Sequence, residues 1–149
     1  MFQDSDFMKN RNHSVFVSFS FQREKELAAD QSSMINNAYF TLLKPLSRGL
    51  YLLELHGQTL EEGTVKMDND FLMEIMELNE QIIEADTEET VIQLGKDNEL
   101  MLRKMEKRLS EAFKEDNVTY AKEILQEMKY YDNLDRKIKE LEREQGIVH

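Results

Sequence analysis

From about Arg23 onward, apolar residues recur at three- and four-residue steps, the period of a helix with one buried face. Leu27, Met34, Ile35, Ala38 and Leu42 mark that face in a first helix ending near Leu43. Lys44-Pro45 breaks it, because the residue before a proline is biased away from the α region. Pro45 then opens a second helix, at a position where no backbone N–H is needed. Leu46, Leu50, Leu53 and Leu55 line this helix, and His56 with Gly57 reads as its stop. Residues 58–67 read as a linker. Asp68-Asn69-Asp70 supplies a cap for a third helix to about Ala85. The spacing from Asp86 to Glu89 is that of a capping box, and predicts a fourth helix to about Glu115. Its stripe is Val91, Leu94, Asn98, Leu102, Met105, Leu109 and Phe113. Asp116-Asn117 caps a last helix to about Glu144, with Tyr120, Ile124, Tyr131, Leu134 and Ile138 as its stripe. Val148-His149 is expected to fray. Three long amphipathic helices with short connections bury their stripes against one another, so the expected fold is all-α, with an antiparallel three-helix bundle at its end.

The first 22 residues follow a different pattern. Val15-Phe16-Val17-Ser18-Phe19-Ser20-Phe21 is apolar and β-prone with no helical period, and predicts an irregular leader. Exposed, such a run is an aggregation liability. It lacks the cationic start and small-residue cleavage site of a secretory signal, and Asp4 and Asp6 argue against a mitochondrial transit peptide.

The third helix carries more apolar surface than a bundle position needs. At 100° per residue with Phe71 at zero, Phe71, Ile75, Leu78 and Ile82 cluster between about −20° and 40°, an ordinary core face. Leu72, Ile83 and Met76 fall at about 100–140°, and Met73 at about 200°. Glu80 and Glu77 lie beside them, at about 180° and 240°. Two readings fit this second stripe. It completes a wide core face, or it is an apolar ridge with a carboxylate border that docks a partner, as methionine-rich surface rimmed by charge commonly does.

Composition narrows the function. A chain of 149 residues is one domain or two small ones. Its net charge is −11, which argues against a phosphate-backbone binder and so against nucleic acid. That charge has an address. Residues 58–90 hold eleven acids and one base, Lys66, whereas residues 1–57 are neutral and 91–149 nearly so. This is a solvated acidic face or a docking surface for a basic partner. No run of 18 apolar residues exists to span a membrane. With no cysteine there is no disulfide, thiol nucleophile or cysteine-ligated metal. His13, His56 and His149 form no i, i+4 pair, and no phosphate loop or calcium loop is present. Glu74, Glu77 and Glu80 share a face, but no histidine at i+3 completes a di-iron motif. The expectation is a protein with no catalytic residues, no bound metal and no cofactor.

The run Ile35-Asn36-Asn37-Ala38-Tyr39, followed by Thr41-Leu42-Leu43-Lys44-Pro45-Leu46-Ser47-Arg48-Gly49-Leu50-Tyr51-Leu52-Leu53-Glu54-Leu55-His56-Gly57, resembles the HscB family. These are J-domain co-chaperones of iron–sulfur cluster assembly. Phe71 through Glu80 resembles the start of the family's scaffold-binding domain. Asp116 through Ile124 and Met128-Lys129-Tyr130-Tyr131 extend the match over about residues 22–145, with details of the animal mitochondrial branch. The resemblance implies that residues 23–57 are a J-domain remnant, its last helix plus the following one, and that 68–145 are the three-helix scaffold-binding domain. It implies an iron–sulfur scaffold protein as partner, contacted by Leu72, Met73, Met76, Glu77, Glu80 and Tyr130. Tyr130 lies about 100° off its own core stripe, where its ring is able to join a neighbouring surface.

The departures from the family also carry expectations. An ungapped count back from Arg23 puts His13-Ser14-Val15 where the family has the His-Pro-Asp loop that stimulates the heat-shock chaperone's ATPase. The proline and the carboxylate are missing, twelve residues precede it, and the animal branch's paired CxxC motifs are absent. The expectation is an N-terminally truncated or alternatively spliced form that binds the scaffold without stimulating the chaperone. A helical oligomerisation module and an unstable, non-functional isoform are the alternatives. Localisation is mitochondrial by resemblance, with the cytoplasm open because no transit peptide is visible.

Overall fold

The computed structural model describes residues 4–61 and 65–147, with side chains from residue 13 onward. Residues 1–3 of the expected leader, 62–64 of the expected linker and the expected fraying of Val148-His149 lie outside the described residues. Five helices follow in order: α1 (Asp4–Leu43), α2 (Pro45–Leu55), α3 (Asn69–Glu84), α4 (Glu88–Lys114) and α5 (Val118–Glu144). There is no strand among the described residues, and the fold is all-α. The chain divides into two compact units between Leu42 and Leu43.

The first unit is α1. The irregular leader expected over residues 1–22 is corrected here: the helix starts at Asp4 and continues unbroken through the run from Val15 to Phe21. No glycine or proline occurs before Pro45. Valine, phenylalanine and serine each cost only a few tenths of a kcal/mol in a helix, so nothing interrupts it. Val15, Phe16, Val17, Phe19 and Phe21 are exposed. The face expected to be buried is exposed too, at Leu27, Met34, Ile35 and Leu42, because a lone helix has no neighbour in its own unit to bury it against.

The second unit begins with α2, which the sequence groups with the helix before it. In the structure α2 packs on α5 and α4. Gly49 makes this possible: it is buried, and a Cβ there would lie 2.7 Å from the Leu109 and Leu125 side-chain ends. Leu53 is fully buried, whereas Leu55 is exposed and drops from the expected stripe. Gly57 takes the left-handed conformation (φ 72°) that ends the helix. Of the linker, Leu60 packs against the core and Gln58 accepts a hydrogen bond from Lys122 Nζ at 3.2 Å.

The spine is the α4–α5 pair, whose antiparallel register shows in Asn98 Nδ2 donating to the Tyr131 carbonyl and Arg108 reaching Tyr120. Asp116 is left-handed (φ 56°), and Asn117 Oδ1 accepts from the Tyr120 N–H to cap α5. At α4 the cap is Thr87, one residue beyond the expected Asp86. Its backbone is extended and its Oγ1 accepts from the Thr90 N–H at 3.2 Å. α5 buries Ala121, Ile124, Leu125, Met128, Tyr131, Leu134 and Ile138. Tyr120, expected on that stripe, faces outward instead. Its hydroxyl accepts from Arg108 Nη2 at 2.8 Å, and the small Ala121 takes the buried place. α3 runs parallel to α5, since Phe71 meets Tyr130 and Asn79 meets Lys137. Ile75 and Ile82 are buried, with Phe71 and Leu78 half-buried beside them.

Candidate partner-docking surface on α3

α3 is held to α5 by a line of contacts on one side. The Phe71 ring meets Tyr130 edge-on at 5.6 Å and Tyr131 at 6.2 Å. One turn on, Tyr131 Oη donates to Glu74 Oε1 at 2.8 Å. A buried tyrosine needs such a partner for its hydroxyl. Burial, and then the Glu74 bond, hold the Tyr131 phenol well above its ordinary range. Further along, Asn79 Oδ1 accepts from Lys137 Nζ at 2.6 Å while its Nδ2 donates to the Ile75 carbonyl. Sequence reading missed the Glu74 and Asn79 ties. Their only signal was a tyrosine on the core stripe and an asparagine inside a helix, each with polar atoms to satisfy.

The opposite side of α3 is exposed within its own unit, among the described residues. Met73 is 67% exposed, Met76 63% and Ile83 82%. Met73, Met76, Glu77 and Glu80 come together with Asp70 and Glu74 to line one shallow depression. Leu72 and Tyr130 do not line it. Leu72 is half-buried, and the Tyr130 ring joins α3 through Phe71. Met76 and Ile83 therefore do not complete a wide core face, which removes one of the two readings of the second stripe for those residues. Glu77 and Glu80 are exposed. Among the described residues, no salt bridge involves an acid of α3; the acids of the bridges lie on α4, α5 and the turn between them.

This surface offers apolar contact and negative charge. Among the described residues, no three or more His, Asp or Glu side chains are placed to hold a metal ion. None of the described helices is long and apolar enough to cross a membrane. On α5, Glu127 is pushed above the usual carboxylate range by burial, against the opposing pull of Arg108 at 3.9 Å.

Residues 67–139 match the family model described as the HSCB C-terminal oligomerisation domain. The chain is 43% identical over 128 residues to the human iron–sulfur cluster co-chaperone protein HscB, covering 85% of this chain and 54% of that protein. It is 29% identical over 119 residues to the mitochondrial J-type co-chaperone JAC1 of Saccharomyces cerevisiae, covering 75% of this chain and 64% of that one. The crystal structure of human HscB superposes with a TM-score of 0.73, over 79% of this chain and 60% of that chain. The chain thus spans about half the length of its human relative.

Proposed function

The chain belongs to the HscB family of iron–sulfur cluster co-chaperones, and from that premise we propose that it is an adaptor that binds the cluster scaffold protein through α3. The observation that carries this is the pair of exposed methionines, Met73 and Met76, set among unneutralised carboxylates inside the family-matched region. The scaffold then presents an apolar patch with a basic border. Half-buried Leu72 beside the ridge and Tyr130 on α5 add to the contact with the partner, and Glu77 and Glu80 steer its cations.

Scaffold affinity tests it. Met73→Ala/Met76→Ala removes exposed side chains, so the fold survives and binding weakens by roughly 2–4 kcal/mol. Unchanged affinity with a normal melting curve refutes the ridge.

The same reading extends to the chaperone. His13-Ser14-Val15 lies within continuous helix, with neither proline nor carboxylate. This chain therefore holds the scaffold without stimulating the heat-shock chaperone's ATPase. Stimulation by the purified chain in a turnover assay overturns that half of the proposal while leaving the scaffold half standing. The compartment follows the mitochondrial relative.

A second reading has an observation of its own, the oligomerisation description of the matched domain. On that reading the α3 ridge meets another copy. Sedimentation of the chain alone separates the two: a concentration-dependent dimer lost in Met76→Ala favours self-association, and a monomer favours the scaffold.

A further inference from the structure

Apolar packing alone does not explain methionine at both ridge positions, since leucine fills a similar volume at similar cost. What methionine adds is an oxidisable sulfur. Met73 and Met76 are three residues apart, which stacks them on one face of α3 a turn apart. Both are about two-thirds exposed, whereas Met105 and Met128 are buried at 2% and 1%. Peroxide in solvent reaches the first pair and not the second. The neighbours matter as much. The depression around the two methionines is lined otherwise by Asp70, Glu74, Glu77 and Glu80, all acceptors when ionised. No hydrogen-bond donor side chain lines it. A sulfoxide oxygen formed there and then covered by a partner's apolar patch finds no side-chain donor among the described residues lining the depression, and a buried unpaired polar oxygen disfavours the complex.

We propose that Met73 and Met76 are a peroxide-sensitive modification site that releases the docked scaffold when oxidised. This deepens the docking reading and rests on it. In the step, the thioether sulfur attacks one oxygen of hydrogen peroxide. The S–O bond forms as the O–O bond breaks, sulfur is oxidised by two electrons, and the departing hydroxide takes a proton to leave as water. A methionine sulfoxide reductase restores the thioether.

The test treats the full chain with hydrogen peroxide, follows each methionine by peptide mass spectrometry, and measures scaffold affinity of treated and untreated forms. Met73 and Met76 gain one oxygen ahead of Met105 and Met128, and affinity falls by roughly tenfold or more. Methionine sulfoxide reductases A and B restore it. Each variant is compared with its own untreated form. Met73→Leu/Met76→Leu becomes insensitive to peroxide, while Met34→Leu, off the ridge on α1, keeps the full loss. Unchanged affinity with both ridge methionines fully oxidised overturns the inference, as does an equal loss in the double leucine variant. If the untreated chain does not bind scaffold at all, the docking reading itself fails, an outcome distinct from either.

Discussion

Gly49 and Gly95 both sit inside helices, and the same substitution by alanine acts on them in opposite directions. Alanine over glycine in a helix interior is worth up to about 1 kcal/mol at either site. At Gly49 the new Cβ lies 2.7 Å from Cδ2 of Leu109 and of Leu125, where ordinary carbon contacts are about 3.5–4.0 Å. Each methyl must retreat by about an ångström; Leu125 is fully buried in the core, whereas Leu109 borders a cleft beside Gly49. Overpacking of that kind costs roughly 1–3 kcal/mol, so Gly49→Ala is destabilising by about 0–2 kcal/mol net. At Gly95 the Cβ meets Glu142 Oε1 at 3.3 Å and Ile138 Cγ2 at 3.6 Å. The first is the end of a flexible side chain and the second is ordinary contact. Gly95→Ala is therefore stabilising by up to about 1 kcal/mol. Urea unfolding followed by circular dichroism reads the pair, with about 0.3–1 M of midpoint shift per kcal/mol. Leu125→Ala alone opens a cavity. Combined with Gly49→Ala it costs less than the sum of the two by at least about 0.5 kcal/mol, because the new methyl occupies the space. A Gly49→Ala midpoint raised as far as that of Gly95→Ala refutes the claim that α2 is seated by close approach at this residue.

Thr87→Ala removes the α4 cap and destabilises by about 0.5–2 kcal/mol, while Asp86→Ala has little effect; equal losses in a thermal melt contradict the assignment. Tyr131→Phe loses the bond to Glu74, at about 0.5–1.5 kcal/mol near neutral pH. Because the folded state holds the Tyr131 proton more tightly than the unfolded chain, its contribution is present below about pH 10 and lost as pH rises beyond it. Stability curves of wild type and Tyr131→Phe therefore converge in alkali. Amide exchange is faster along α1 than in α4 and α5, since burial and side-chain contacts protect the latter pair; equal protection counts against α1 as a separate unit.

Boundaries with a local chemical signal were legible from the residues: Pro45 and Gly57 bracket α2, and Asn117 starts α5. Asp68 stands at the start of α3 as expected, though its side chain makes no capping bond there. The extent of α1 was not legible, because its cause is the absence of breakers rather than the presence of a period. Two candidate caps side by side, Asp86 and Thr87, left the start of α4 to be decided by backbone geometry. Small residues misled the core reading. Gly49, Ala112 and Ala121 are buried because they let helices approach, whereas the stripes were drawn from large residues such as Tyr120 and Leu55. For the candidate surface, Met73, Met76, Glu77 and Glu80 share a depression as 100° steps require. The contacts of Phe71 with Tyr130 and of Glu74 with Tyr131 depend on the register between helices, which periodicity along one helix does not encode.

The acids of α3 also act on each other. Asp70–Glu74, Glu74–Glu77, Glu77–Glu80 and Glu80–Glu84 are like-charge neighbours three or four residues apart, and the last turn has no basic residue. At about 0.2–0.5 kcal/mol each, four such pairs leave about 1–2 kcal/mol of repulsion along one exposed edge at low ionic strength. Salt screens that repulsion and tightens the helix itself, yet the same screening slows the approach of a cationic partner. The isolated chain and the proposed complex thus respond to ionic strength with opposite signs. A basic partner laid along α3 relieves the repulsion as it binds, so docking stabilises the helix that it docks on.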